Sequence, residues 1–163
     1  MDRPGNQASE VTILIYEIVH TFLGGRFQAR SDAPLRAMAT ILIVDDDPLQ
    51  ASFIMSLLGR QFGNVCRVND AAEALCLIEQ PEFASKLRLV ISGHHTPGIG
   101  GPAFVAELHS RKPELPVLVL GANGAAPSDY TEAHVVFLSR PVGRDKMLAV
   151  TGQILADRKH AVA

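Results

Sequence analysis

Three consecutive carboxylates, Asp45-Asp46-Asp47, close the apolar run Ile41-Leu42-Ile43-Val44. Negative charge at the end of a buried segment is costly unless something positive offsets it, either a hard cation held by oxygen ligands or a basic side chain. Arg140, which ends the later apolar run Val135 to Ser139, is the basic candidate. Asp47 is followed by Pro48 and then Gln50, the pattern of a helix N-cap with proline at the first helical position. Its carboxylate is therefore expected to cap a helix, which leaves Asp45 and Asp46 as the pair with a site role.

Other residues suggest chemistry less specifically. The tandem His94-His95 could be combined with Asp45 and Asp46 into a transition-metal ligand set, since imidazole and carboxylate both serve zinc and iron. Adjacent loop histidines usually point apart, so exposed, pH-sensitive side chains are the plainer expectation. Gly98-Ile99-Gly100-Gly101 lacks the lysine and hydroxyl of a phosphate-binding P-loop and the spacing of a dinucleotide fingerprint, and reads as a turn. Ser92 has neither a base close in sequence nor flanking nucleophile-elbow glycines, so a hydrolase triad has no support. Cys66 and Cys76 show no paired C-x-x-C spacing and are expected to be buried, reduced thiols.

The elements that must position these groups alternate. Ile41 to Val44 is short, β-branched and apolar at both parities, as a strand buried on both faces of a parallel sheet should be. A helix then begins at Pro48, with Leu49, Phe53, Ile54, Leu57 and Leu58 at helical spacing. Val65 to Val68 reads as a strand, and Asp70-Ala71-Ala72-Glu73 opens a helix to about Glu79 that stops before Pro81. Leu87 to Ser92 is a third strand, and Pro102 to about Arg111 a helix with Phe104, Val105 and Leu108 on one face. Val117 to Leu120 is a fourth strand, Ser128 to Ala133 has room for a short helix, and Val135 to Ser139 is a fifth strand. Gly143 to about Lys159 is a final amphipathic helix through Met147, Leu148, Thr151, Ile154 and Leu155.

Such alternation predicts an α/β, doubly wound parallel sheet of five strands, with a pocket at the carboxyl ends of the strands. Asp45, Gly93, Gly121 and Arg140 all fall at such ends. At 163 residues, 47% of them hydrophobic, the chain is long enough for one domain with a full core. With 15 basic and 17 acidic residues it has neither the charge of a nucleic-acid binder nor a polybasic membrane anchor, so protein partners are expected. No apolar run reaches the roughly 18 residues that span a bilayer. The nearest, Val11 to Leu23, lacks the preceding positive charge of an export signal, so a cytoplasmic location is expected. Residues 1–37 are expected to be an N-terminal extension, either poorly ordered or preceding the true start at Met38. The alternative is that Val11, Leu14, Ile15, Ile18 and Phe22 form a docking or dimerisation helix.

Three segments together carry a family resemblance: Ile41-Leu42-Ile43-Val44-Asp45-Asp46-Asp47-Pro48, Leu89 to Gly101, and Phe137-Leu138-Ser139-Arg140-Pro141. The chain from about Thr40 to Arg158 resembles the receiver domain of two-component response regulators. The resemblance implies a flavodoxin-like fold with strand order 2-1-3-4-5. It also implies that Asp45, Asp46 and the carbonyl of His95 are the protein's ligands for magnesium beside a phosphoryl-accepting aspartate. The family has that aspartate four residues before a proline, where this chain has Gly93 ahead of Pro97, and glycine offers no oxygen for an acyl phosphate. Gly121 stands where the family has a hydroxyl residue, and Arg140 where it has lysine. Phe137 keeps the switch aromatic, and Arg140-Pro141 keeps a basic-Pro dipeptide that is cis in the family.

The expectation is therefore a degenerate receiver, not an enzyme, with magnesium bound weakly or not at all and no cofactor required. It would stand alone in a phosphorelay and act by contact with a histidine kinase, a phosphotransfer protein or another regulator, with a homodimer left open. Arg140 is expected to grip a carboxylate with the two-pronged fork that lysine lacks, holding one conformation. The competing enzyme reading is a haloacid-dehalogenase-like phosphatase with Asp45 as nucleophile and Asp47 as acid/base. It has Leu49 where that family wants Thr or Val, and no later acidic cluster at a strand end.

Overall fold

The computed structural model describes residues 40–122 and 125–161, with side chains described up to residue 157. The expectations placed on residues 1–37 lie outside the described residues. Strand β1 (Ile41–Val44) is buried along its whole length. Its alternating side chains feed two cores, Leu42 and Val44 on one face of the sheet and Ile41 and Ile43 on the other. That is why the run is apolar at both parities, and each such side chain contributes about 1.5–3 kcal/mol by leaving water.

The strands β2 (Val65–Val68), β3 (Leu89–Gly93), β4 (Val117–Gly121) and β5 (Val135–Ser139) complete a parallel sheet in the order β2-β1-β3-β4-β5, as expected. The register aligns Val44 with Ser92, Gly93 with Leu120 and Gly121 with Ser139. The carboxyl ends of β1, β3, β4 and β5 therefore form one row, and the residues that follow them share one edge of the sheet.

Helix α1 (Pro48–Phe62) starts at Asp47, whose carboxylate accepts hydrogen bonds from the backbone N–H groups of Leu49 and Gln50 at 2.9 and 3.2 Å. It ends at Gly63, whose φ of 88° is the left-handed conformation that favours glycine. Its inward stripe is Ala51, Ile54 and Leu58, whereas Leu49 and Phe53 are 81% and 60% exposed. The expected core face is thus corrected by about a quarter turn: the apolar residues cover an arc wider than the sheet can bury.

Helix α2 (Ala71–Ile78) is capped by Asp70, which accepts from the Glu73 N–H at 2.8 Å. The chain does not then run straight to β3. Pro81 opens a second short helix, α3 (Pro81–Lys86), which buries Phe83 against the same core and which sequence periodicity missed. Six residues are too few for a 3.6-residue period to show. Helix α4 (Gly101–Arg111) buries Phe104, Val105 and Leu108, and helix α5 (Arg144–Ala161) is flanked inward by Met147, Thr151, Ile154 and Leu155, both as expected.

The helix expected over Ser128 to Ala133 is absent. The segment before β5 instead makes a single 3-10 turn, Pro127–Asp129, closed by the Asp129 carboxylate on the Ala126 N–H at 2.9 Å. His134, at φ 63°, then turns the chain into β5. In place of helical cover, Tyr130 is buried in the core cluster beside the partly buried Val135 and Phe137. Among the described residues, no helix is long and apolar enough to cross a membrane.

Candidate functional site

Asp45 leaves the end of β1 with a side chain only 9% exposed. One carboxylate oxygen, Oδ1, accepts from the Asp47 N–H at 2.9 Å, and Oδ2 faces Arg140 Nη2 at 3.4 Å. Arg140 is brought there by the end of β5, where its own N–H donates to the Gly121 carbonyl at 3.0 Å, and its peptide bond to Pro141 is cis. The expected two-pronged grip on one carboxylate is not made. The second nitrogen, Nη1, donates to Oε1 of Gln50 on α1, so the guanidinium bridges β1 and α1 instead of pairing wholly with Asp45. At 3.4 Å the Asp45 contact is an ion pair longer than a good N–H···O bond.

Asp46 is exposed. The acidic pair has a second guanidinium beside it that sequence reading overlooked. Arg67 donates from Nε to the Asp45 carbonyl at 2.9 Å and from Nη2 to the Asp46 carbonyl at 3.2 Å. The available signal was a lone charged residue inside the otherwise apolar strand Val65–Val68, a placement that requires a polar partner.

Gly93 ends β3 facing this group. A side-chain carbon there would lie 3.4 Å from the His95 carbonyl oxygen and 3.9 Å from Arg140 Nη2, so the position has room and borders both. Gly121, at the end of β4, has none. A carbon at that place would fall 2.1 Å from Cζ of Phe137, because the phenyl ring itself fills the space. Asp45, Gly93, Arg140 and the His95 carbonyl thus come together, while Gly121 and Phe137 form a packed pair next to them.

The two histidines do not point apart as expected: their ring centroids lie 4.9 Å apart, edge to face. His95 is exposed, whereas His94 Nδ1 is 2.9 Å from the Tyr130 hydroxyl. Burial, with Asp129 and Glu132 nearby, pushes the Tyr130 phenol up to about 12, so it keeps its proton. Among the described residues no group of three His, Cys, Asp or Glu side chains converges on a metal-sized space. Ser92 donates to the Gly93 carbonyl at 3.0 Å and lies 3.4 Å from Thr96 Oγ1, so it ties the loop after β3 together. Cys66 is buried, and Cys76 is half-buried with its thiol pushed up, first by burial and then by Glu79.

Comparison with known proteins agrees with this geometry. The family model of the response regulator receiver domain matches residues 41–151. The transcriptional regulatory protein GlrR of Escherichia coli is 30% identical over 112 residues, which are 67% of this chain and 24% of that protein. The two-component response regulator ORR24 of Oryza sativa is 30% identical over 118 residues, 71% of this chain and 18% of that protein. The chain thus spans about a quarter or less of the length of these curated relatives. A receiver domain protein from Clostridium thermocellum has the same fold, with a TM-score of 0.67 at 21% identity over 77% of this chain and 99% of that one. The receiver domain of NtrX from Brucella abortus superposes with a TM-score of 0.64 at 26% identity, over 71% of this chain and 98% of that one.

The dehalogenase-like alternative falls on the same findings. Asp47, its acid/base, is committed to capping α1, and the relatives found are regulators. With the expected strand order, the acidic pair ending β1 and the basic-Pro dipeptide ending β5 all in place, the chain belongs to the response regulator receiver domain family.

Proposed function

We propose that this receiver domain is a phosphorylation-independent contact module of a two-component system. The observation that carries the reading is Gly93: the residue at the end of β3 beside Asp45 has no side chain, and Arg140 stands in front of it. An acyl phosphate needs a carboxylate oxygen at that point, and none is available.

Magnesium fits this donor set poorly. Asp45, Asp46 and the His95 carbonyl are oxygen donors of the right kind. Both Asp45 oxygens are already engaged, however, by the Asp47 N–H and by Arg140. Arg140 supplies the positive charge that the buried carboxylate requires, and it does so permanently. The pocket therefore holds its own counter-ion, so that neither a cofactor nor catalysis is called for.

Contact then falls to the surface. Leu49 and Phe53 are the two most exposed large apolar side chains among the described residues, one turn apart on α1 and next to Gln50, which Arg140 holds. An exposed apolar pair on a helix fits a protein partner, and in this reading that is a histidine kinase, a phosphotransfer protein or another regulator. The cytoplasm is the compartment that such partners imply.

Intact mass after incubation with a small acyl phosphate and magnesium tests the reading, with an ordinary receiver as positive control. The expected mass is unchanged while the control gains a phosphoryl group. A stable adduct, with Asp46 the first residue to map, overturns it.

A further inference from the structure

Two glycines outside any turn mark places where aromatic groups occupy side-chain space. At Gly121 the phenyl ring of Phe137 fills the volume of a side chain, with three ring carbons at 2.1, 2.8 and 2.9 Å from a hypothetical Cβ. At Gly101, the first residue of α4, a Cβ would meet the His94 carbonyl at 2.5 Å and the Tyr130 hydroxyl at 2.6 Å. The two sites are joined. The Tyr130 and Phe137 rings lie 6.0 Å apart at 42°, the Tyr130 hydroxyl bonds His94 Nδ1, and the His94 carbonyl accepts from the Gly101 N–H at 2.9 Å.

We infer that Phe137, Tyr130 and His94 form a ligand-independent strut that fixes the loop after β3 and the start of α4 to edge strand β5, and that Gly121 and Gly101 are the holes that admit it. Tyr130 is its central member. It follows the 3-10 turn Pro127–Asp129 in the β4–β5 connection, and its ring is buried in the core cluster. The loop it braces carries the His95 carbonyl and is itself tied by Ser92 and Thr96, both bonded to the Gly93 carbonyl at 3.0 and 3.2 Å. The glycines are a steric requirement. Any side chain at 121 competes with a ring that is wedged between Gly121 and Tyr130, and cores tolerate such overpacking poorly. The position of Phe137 is therefore set by residue 121 and not by whatever occupies the pocket.

Native-state hydrogen exchange on the full chain reads the strut directly, because the Gly101 amide donates to the His94 carbonyl while the Ile43 amide in β1 reports global opening. In Gly121→Ala the Gly101 amide should exchange about tenfold faster after correction for any change at Ile43, as expected when a local unit opens ahead of the whole. A change at Gly101 that merely follows Ile43 would overturn the inference, since the ring would then be ordinary packing. Tyr130→Phe keeps the ring, deletes the hydroxyl bond to His94, and decides alone if Gly121→Ala does not fold. The expected result is again about tenfold faster exchange at Gly101, the equilibrium worth of one hydrogen bond, with the Phe137 ring resonances unmoved. Unchanged exchange in this variant overturns the strut.

Discussion

Replacing Arg140 with alanine strips the cation from a carboxylate that is 9% exposed and leaves that carboxylate with the Asp47 N–H as its hydrogen-bond donor. A hydrogen bond to a charged group contributes about 1.5–3 kcal/mol. Two facts reduce that here: the contact spans 3.4 Å, and the arginine side chain is 29% exposed, so water screens part of it. The bond to Gln50 adds a smaller, more exposed share. The expected loss is about 1–2 kcal/mol, which for a domain of this size lowers Tm by roughly 3–8 °C. Thermal unfolding of Arg140→Ala, Asp45→Asn and the double variant gives the coupling directly, expected at about 1 kcal/mol and weaker in high salt. A second consequence separates pairing from packing. Without the Arg140 guanidinium the Asp45 carboxylate loses its ion-pair partner, so magnesium should raise the Tm of Arg140→Ala by several degrees more than that of the wild type. A Tm within about 1 °C of wild type, additive with Asp45→Asn and indifferent to magnesium, would refute the argument that Arg140 is the built-in counter-ion.

Gly93→Ala should fold with stability within about 0.5 kcal/mol of the wild type by urea denaturation, since its methyl group meets nothing nearer than 3.4 Å. Phe53→Ser should also leave stability within about 0.5 kcal/mol, because the ring is 60% exposed, while weakening capture of a kinase or phosphotransfer partner at least about tenfold in a binding titration. Equal affinity of the variant would remove α1 from the contact surface. Tyr130 titrates at about 12 in the fold against an ordinary value near 10, so the fold favours the protonated phenol. Its contribution to stability is whole below about pH 10 and lost as pH rises through about 12. Tyrosinate absorbance in a Tyr16→Phe background, followed beside unfolding, checks the value, and ionisation at the ordinary pH would contradict it.

Much of this fold is readable in one dimension because its signals are local. A run such as Ile41 to Val44 that is short, β-branched and apolar at both parities suits a strand in the middle of a parallel sheet, buried on both faces. Caps such as Asp47 and Asp70 act within three residues and need no tertiary information. The gathering of Asp45, Gly93, Gly121 and Arg140 at one edge follows from strand ends alone, since parallel strands joined by crossovers must place their carboxyl ends together. The family motif added the strand order, which periodicity cannot supply.

What escaped the sequence depends on contacts between distant segments. Nothing near Arg67 announces that its guanidinium will rest on the carbonyls of Asp45 and Asp46, because the register of β2 against β1 decides it. Arg140 divides its grip between Asp45 and Gln50 because α1 brings Gln50 within reach, and a side-chain inventory is silent on that. Helical spacing shows which residues of α1 are apolar but not how wide a stripe the sheet will bury, so Leu49 and Phe53 share the apolar spacing and yet lie outside the core. Gly121 reads as an absence in the sequence; only the packed structure shows that the space is filled, by a ring sixteen residues further along the chain. Local composition and periodicity settle which elements form. Which of their side chains meet is settled by volume and register, and these exist only once the chain has folded.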